Sequence, residues 1–282
     1  MIFNQLKFDL RCEWGHQGVI QLAPISDVVI IVDILSFSTA VEIATNKGAK
    51  IFPYQWKDSS ANDYAKSVKA ELATKRTSTI GYSLSPQSLI KISTGTKLVL
   101  PSPNGSSLTL LTENKPTLAG CLRNCEAVAR FAQEYGSKIA VIPAGEKWED
   151  ASLRPALEDL IGAGAILSYL TGSLSPEAET AVAVFNSFKN DCLDVLKKCS
   201  SGKELIEKGF ESDVELAAEI NVSDCVPVFS DNYYVKKKIV FTTHNPCHGE
   251  FCLCRRASAL QRGNLRPVST TLINFFPCPI CY

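Results

Sequence analysis

The sequence predicts an α/β protein, a three-layer α/β/α arrangement around a mostly parallel central sheet. The first observation is Val28–Val32, an unbroken β-branched run between two aspartates. Such a run is typical of a strand covered on both faces. The second is that strand, short polar turn and helix follow one another repeatedly through the first half of the chain. Short connections of this kind favour parallel strands with helices on both faces of the sheet.

The other strands are predicted from similar apolar runs. They are expected at residues 49–54, 97–101, 117–121 and 138–143, with an edge segment and a loop in residues 1–27 and a last short strand at 225–229. After Val28–Val32 the chain turns into a helix. Thr39 and Glu42 fit a capping box at its start, and Gly48 stands where a C-cap glycine belongs.

Polar side chains follow most of these strands. Because the carboxyl ends of parallel strands meet at one edge of a sheet, where α/β proteins bind ligands, we expect the turns to form one site. The residues collected there are Asp33, Ser36, Ser38, Thr39, Ser102, Asn104, Arg123, Asn124 and Glu146.

Residues 154–167 predict a buried helix with Pro155 in its first turn. Glu158 and Asp159 are adjacent acids on this apolar helix. Two buried carboxylates cost several kcal/mol unless they are paired or bind a metal. Either they are functional, or Arg154 and a backbone donor satisfy them.

Other helices carry local signals as well. Gly162 and Gly164 would let another backbone pass close to the buried helix. Ser175 is expected to cap the helix that follows it, and Ser212 with Glu215 fits a capping box.

Composition restricts the class of protein. The 29 basic and 29 acidic side chains cancel, so neither nucleic acid nor an anionic membrane is an expected partner. No apolar run reaches membrane-spanning length and the N-terminus lacks a secretory pattern, which predicts a cytoplasmic protein. The composition is also compatible with a homo-oligomer.

Several catalytic motifs do not occur in the sequence. It has no GxxxxGK[ST], GxGxxG, GxSxG or HExxH. The chemistry therefore rests on carboxylates, hydroxyls and arginines. This set suits Mg²⁺ and a phosphorylated substrate, because Mg²⁺ prefers oxygen ligands while guanidinium groups and helix N-termini bind oxyanions.

Six of the eleven cysteines are scattered through the predicted domain, residues 1–235, and are expected to be reduced thiols. The other five lie in a Cys-rich tail, residues 236–282, predicted to be a poorly ordered appendage. A zinc site in the tail is the alternative, with Cys247 or His248 as substitute ligands. Its four thiolates would come from Cys252, Cys254, Cys278 and Cys281.

Several spaced motifs resemble a known family. They are VVIIVDILSFSTAVEIATNKGA, LVLPSPNGSS, AGCLRN, IPAGE and LRPALEDLIGAGAI, in that order. Together they resemble the 2-phosphosulfolactate phosphatases, also called ComB-like phosphatases. The resemblance implies the ComB-like phosphatase fold and a Mg²⁺-dependent phosphatase that converts phosphosulfolactate to sulfolactate and phosphate, a step toward coenzyme M in methanogens. The family's loop often has an arginine where this chain has Ser36.

The resemblance and the residue chemistry together assign roles. The matching residues are Asp33, Ser38, Thr39, Asn104, Gly105, Glu158 and Asp159. Asp33, Glu158 and Asp159 would hold Mg²⁺, and the catalytic residues would be Asp33, Glu158 and Arg154. The phosphate would be bound by Ser36, Ser38, Thr39, Ser102, Asn104, Gly105, Arg123 and Asn124. A catalytically silent protein that binds a phosphate or sulfonate metabolite in the same pocket is the alternative function.

Overall fold

The computed structural model describes residues 2–55 and 58–237. The strands are β1 (Leu10–Cys12), β2 (Val28–Val32), β3 (Lys50–Tyr54), β4 (Glu71–Leu72), β5 (Lys97–Pro101), β6 (Thr117–Gly120), β7 (Ile139–Pro143), β8 (Glu146–Lys147), β9 (Leu153–Arg154), β10 (Pro227–Ser230) and β11 (Tyr233–Lys236). The helices are α1 (Gly15–Leu22), α2 (Phe37–Asn46), α3 (Ser60–Val68), α4 (Pro86–Leu89), α5 (Gly105–Leu111), α6 (Cys125–Ala132), α7 (Leu157–Leu167), α8 (Pro176–Phe188), α9 (Cys192–Lys198), α10 (Ser200–Glu207) and α11 (Glu211–Ala218). The predicted zinc ligands of the tail lie outside the described residues.

Nine strands form one sheet, in the order β1-β7-β2-β6-β10-β11-β3-β5-β4. Five of its eight strand pairings are parallel, which confirms a mostly parallel sheet. The β10–β11 hairpin is inserted between two parallel blocks and is antiparallel to both neighbours. Since three successive pairings are antiparallel, the β3–β5–β4 block runs opposite to the β2 block.

The central strand β2 is buried on both faces, as predicted. Val28, Ile30 and Val32 pack in one apolar cluster with helices α6 and α7. Val29 and Ile31 point to the other face, where they pack with helices α1 and α5. Helices therefore cover both sides of the sheet, and the predicted three-layer α/β/α fold is confirmed.

Three local predictions need correction. Helix α1 occupies the place of the loop expected after the edge strand. Thr39 lies inside α2, whose N-cap is Ser36, so Thr39 and Glu42 do not form a capping box. Pro155 precedes α7 instead of opening it, because Leu153–Arg154 pairs with Glu146–Lys147 in a short hairpin. The C-cap prediction is confirmed, since Gly48 has φ +87° and the chain closes α2 with a Schellman motif.

The cysteines of the described residues agree with the sequence-based expectation. All six are buried and none forms a disulfide. Burial raises the pKa of these thiols, for example that of Cys192 to about 11, which keeps them protonated and unreactive. In the described part of the chain no helix is both long and apolar enough to cross a membrane.

Two serines that were expected to cap helices differ in the structure, and this gives a stability prediction. The Ser175 hydroxyl accepts a hydrogen bond from the Ala178 N–H at 3.1 Å, as expected of an N-cap. Ser212 instead lies within the first turn of α11. Ser175→Ala should therefore lower the free energy of unfolding in urea by about 1 kcal/mol. Ser212→Ala is the matched control, and an equal loss in both variants would contradict the structure.

Candidate functional site

Asp33 lies where β2 ends and connects two helices. One carboxylate oxygen accepts the N–H of Phe37, the first residue of α2, at 3.1 Å. The other accepts the N–H of Gly105, the first residue of α5, at 2.8 Å. The side chain is only 5% exposed. Both contacts place a negative charge at the positive end of a helix dipole, which stabilises the charge.

The sequence predicted that Asp33 and the turn after β5 would meet, but the reason for the prediction was wrong. The β5 block runs opposite to β2, so strand direction alone does not bring the turn after β5 to Asp33. Instead, α5 packs back over β2, with Leu108 in the same apolar cluster as Val29 and Ile31. Gly105 allows the close approach, since a Cβ there would lie 2.2 Å from the Phe37 ring.

The hydroxyls of Ser38 and Thr39, in the first turn of α2, are bonded to backbone groups of β2 and of the turn that follows it. The Ser38 hydroxyl donates to the Ile31 carbonyl and accepts the Asp33 N–H, both at 3.0 Å. The Thr39 hydroxyl donates to the Ile34 carbonyl at 2.8 Å. Both side chains are fully buried. They fix the shape of the loop around Asp33, and direct contact with a phosphate stays a prediction.

Asp159 joins the same loop from α7. Its carboxylate accepts the N–H of Ile34 at 2.7 Å and that of Gly145 at 2.9 Å, so it holds the turns after β2 and β7 together. Backbone donors therefore satisfy this buried acid, whereas the sequence-based alternative had named Arg154 together with a backbone donor. Its neighbour Glu158 is also buried, and its negative charge adds to the effect of burial in raising the pKa of the Cys199 thiol.

Arg154 does not pair with these acids. Its guanidinium donates to the Ser201 hydroxyl at 3.1 Å and lies 5.8 Å from the centroid of the Trp148 ring. Arg154 and Glu146 are direct partners across the β8–β9 hairpin, so their side chains leave the same face. This pairing brings Arg154 to Glu146.

Glu146 completes the acidic cluster, which we define as Asp33, Glu146, Glu158 and Asp159. Its carboxylate accepts a hydrogen bond from the Asn104 side-chain amide at 2.8 Å. Asn104 and Glu146 therefore meet as predicted, but β5 and β7 run in opposite directions, so a common edge of parallel strands is not the reason. Ser102 lies just before this contact, and its hydroxyl accepts the Asn104 N–H at 3.3 Å.

Burial and the neighbouring negative charges of the acidic cluster raise the pKa values of Asp33, Glu146 and Asp159. Burial is the largest cause for Asp33 and Asp159, and the charge of Glu158 raises both pKa values further. The pKa of Glu146 is raised to about 7 by burial and by the charge of Asp33. A cation would relieve this repulsion.

The cluster is not a preformed metal site. Across residues 2–55 and 58–237, no three side chains of the His, Cys, Asp and Glu types converge closely enough to hold an ion. Its donor set nevertheless suits Mg²⁺, because the cation prefers carboxylate oxygens and these carboxylates repel one another.

Arg123 and Asn124 are not brought into this group. The Arg123 guanidinium donates to Glu42 at 2.8 Å and also forms an ion pair with Glu219. The Asn124 side chain accepts the Cys121 N–H and donates to the Cys225 carbonyl, both at 2.9 Å. Both residues anchor the C-terminal part of the fold in the structure.

The guanidinium that does reach the β2–α2 loop belongs to Arg76. It donates to the Ser36 hydroxyl at 2.8 Å and to the buried Asp213 at 2.6 Å. Sequence reasoning missed Arg76 because it lies in a polar segment without strand or helix periodicity. No local pattern distinguishes it from a surface cation.

The raised pKa of Glu146 predicts a pH dependence of stability. Its value of about 7 lies above the ordinary 4.5, so the folded protein binds the proton more tightly than the unfolded chain. The free energy of unfolding should therefore fall as pH rises from about 4.5 to about 7. Glu146→Gln, which stays neutral, should reduce this fall by roughly 1–3 kcal/mol, allowing for partial solvent screening.

Urea unfolding at pH 4.5, 6 and 8 would measure this difference. Glu149→Gln is the matched control, because Glu149 is an exposed acid of the same hairpin region. Parallel pH profiles for wild type and Glu146→Gln would show that Glu146 titrates as an ordinary surface acid.

Known proteins resemble this chain over most of its length. The sequence model of the family described as 2-phosphosulpholactate phosphatase matches residues 17–232. The 2-phosphosulfolactate phosphatase of Methanothermobacter thermautotrophicus is 28% identical over 207 residues, covering 73% of this chain and 88% of the relative. A probable 2-phosphosulfolactate phosphatase of Thermotoga maritima is 25% identical over 227 residues, covering 77% and 97%. One from Thermosynechococcus vestitus is 30% identical over 143 residues, covering 47% and 57%.

Proposed function

The chain belongs to the 2-phosphosulfolactate phosphatase family, a family of phosphoric monoester hydrolases, and from this premise we propose that it hydrolyses a small phosphorylated acid in the presence of Mg²⁺. The substrate we propose is 2-phosphosulfolactate, which would give 3-sulfolactate and phosphate. The observation that carries the proposal is the position of Asp33. Its carboxylate is bonded to the first residues of α2 and α5 and lies beside the other carboxylates of the acidic cluster.

Mg²⁺ would be held by Asp33, Glu158 and Asp159. When bound, it would neutralise negative charge on the phosphate ester. Asp33 and Asp159 are fixed by backbone N–H donors from three different turns. These bonds keep both carboxylates at the β2–α2 loop, and Mg²⁺ would have to draw them and Glu158 closer together on binding.

Glu146 would act as the general acid. A carboxyl group with a pKa of about 7 is protonated in about half of the molecules at neutral pH. As water attacks phosphorus and the ester P–O bond breaks, one proton of the water would pass to a phosphoryl oxygen, and Glu146 would give its own proton to the leaving alkoxide and regain one from solvent. Asn104 would orient the carboxyl group through its amide, and Arg154 would offset charge on the transferring phosphoryl group.

A panel of phosphate esters tests the proposal. Phosphate release would be measured for phosphosulfolactate, phospholactate and p-nitrophenyl phosphate, each with Mg²⁺ and with EDTA. We expect the fastest release from phosphosulfolactate and a loss of release in EDTA. If no phosphate is released from any ester, the proposed phosphatase activity is contradicted. In that case a thermal shift with sulfolactate would favour the catalytically silent binding protein.

A further inference from the structure

The positive charge of Arg76 acts on Asp33, and the Arg76 guanidinium points toward the loop that carries Asp33. It reaches from the segment after β4 to the β2–α2 loop, where it donates to the Ser36 hydroxyl. Its side chain is 19% exposed, whereas its partner Asp213 is fully buried. Asp213 also accepts hydrogen bonds from the Ser85 hydroxyl at 2.6 Å and the Gln87 N–H at 3.0 Å. The carboxylate is therefore immobile, and so is the guanidinium bonded to it.

The guanidinium retains unused donors. Arginine has five N–H groups, and two bonds are made here, to Asp213 and Ser36. Within the described part of the chain no further acceptor meets the other three. A fixed guanidinium with spare donors is the group that proteins use to bind sulfonate, carboxylate or phosphate oxygens.

Arg76 also lines a cavity of about 390 Å³. This volume is within the range of small-ligand sites, about 300–1,000 Å³. Lys75 and Arg76 make its lining basic, and Pro101, the last residue of β5, places it next to the turn that carries Asn104. Asp58 is the acid in this lining, and its carboxylate is bonded to the N–H and hydroxyl of Ser60.

Arg76 also interacts with the acidic cluster. Burial lowers its pKa, while the charges of Asp213 and Asp33 raise it again. In return, the charge of Arg76 lowers the pKa of Asp33. Arg76 thus contacts the β2–α2 loop through Ser36 and also lines the cavity.

We propose that Arg76 binds the second anionic group of the substrate, its sulfonate or carboxylate, in this cavity while the phosphate lies beside Asp33. The inference rests on the proposed function and adds a specificity residue to it. Phosphosulfolactate carries a phosphate, a sulfonate and a carboxylate. The carboxylates of the acidic cluster would repel these groups unless one of them met a fixed cation. Arg76 and the neighbouring Lys75 provide that charge.

Calorimetric titration with sulfolactate tests the role of Arg76 without requiring turnover. Loss of a charge-assisted hydrogen bond should raise Kd by about 10- to 100-fold in Arg76→Gln. Arg76→Lys keeps the charge but loses the planar guanidinium, which can donate two parallel hydrogen bonds to one anionic group, so its Kd should be intermediate. Arg130→Gln is the matched control, because Arg130 is 76% exposed and pairs only with Glu126 on the surface. Its Kd should equal that of wild type.

Lactate and 2-hydroxyethanesulfonate separate the two anionic groups. If Arg76 binds the sulfonate, Arg76→Gln should weaken binding of the second compound only; if it binds the carboxylate, it should weaken lactate only. Should Arg76→Gln not fold because Asp213 is left buried and unpaired, the double variant Arg76→Gln/Asp213→Asn removes both charges and is titrated in its place.

Kinetics distinguish this inference from the proposed function. Arg76→Gln should lower kcat/KM for phosphosulfolactate by a larger factor than kcat/KM for p-nitrophenyl phosphate, which has no second anion for Arg76 to bind. If wild type hydrolyses no ester, the proposed function fails and sulfolactate binding alone judges Arg76. Equal sulfolactate affinity in wild type and Arg76→Gln, or no binding by wild type, would overturn the role of Arg76.

Discussion

Asp33→Asn is expected to reduce kcat for phosphate release by about 10²- to 10³-fold. The substitution removes one negative charge from the proposed Mg²⁺ site. It also sets a side-chain NH₂ group against one of the two backbone N–H donors, from Phe37 or Gly105, that the carboxylate accepts. Steady-state phosphate release at saturating substrate and Mg²⁺ measures the change.

Asp27→Asn provides the matched control for this substitution. Asp27 precedes the same strand at its opposite end, and its exposed carboxylate accepts the Lys138 N–H at 2.8 Å. It carries the same charge and makes a similar backbone bond, but it lies far along β2 from Asp33. Activity close to wild type is expected for Asp27→Asn. Unchanged release in Asp33→Asn would remove Asp33 from the mechanism.

The second large effect concerns stability. A Cβ at Gly164 would lie 1.9 Å from the Ala181 carbonyl oxygen, so α7 and α8 cannot stay at their present separation in Gly164→Ala. We expect overpacking to cost about 3 kcal/mol or more, partly offset by about 1 kcal/mol of helix propensity. The net loss of about 2 kcal/mol should lower Tm by roughly 4–8 °C.

Gly162→Ala tests whether backbone contact is the cause. A Cβ there would meet Ile34 Cδ1 at 2.5 Å and Val32 Cγ1 at 3.0 Å, which are side-chain ends that can move. The same helix gains the same propensity in both variants. Gly162→Ala should therefore lose less stability, and an equal or lower Tm than that of Gly164→Ala would contradict the packing of α7 on α8.

The strands were predictable because their signals are local. An apolar run such as Val28–Val32 has the same periodicity wherever the strand lies in the sheet. Strand order is a non-local property. Nothing in Pro227–Ser230 or Tyr233–Lys236 indicates that this late hairpin enters the middle of the sheet, between strands that precede it by more than a hundred residues. The same limit applies to the direction of the β3–β5–β4 block.

The residues of the candidate site also divide into those with a local sequence signal and those placed only by the fold. Asp33, Asn104 and Glu146 were found because each follows a strand, and the structure brings them together. Arg123 also follows a strand, but it forms ion pairs with Glu42 and Glu219, which only the folded chain brings close to it. These pairs keep it away from the acidic cluster. Arg76 shows the converse, because its importance depends on Ser36 and Asp213, which are distant from it in sequence.

The inserted β10–β11 hairpin has a consequence for biosynthesis. During translation, the two blocks β1–β7–β2–β6 and β3–β5–β4 leave the ribosome well before the strands that join them. Until residue 236 has emerged, β6 and β3 each present an unpaired edge, and such edges attract other chains. The sheet can therefore be completed only after this hairpin has been synthesised.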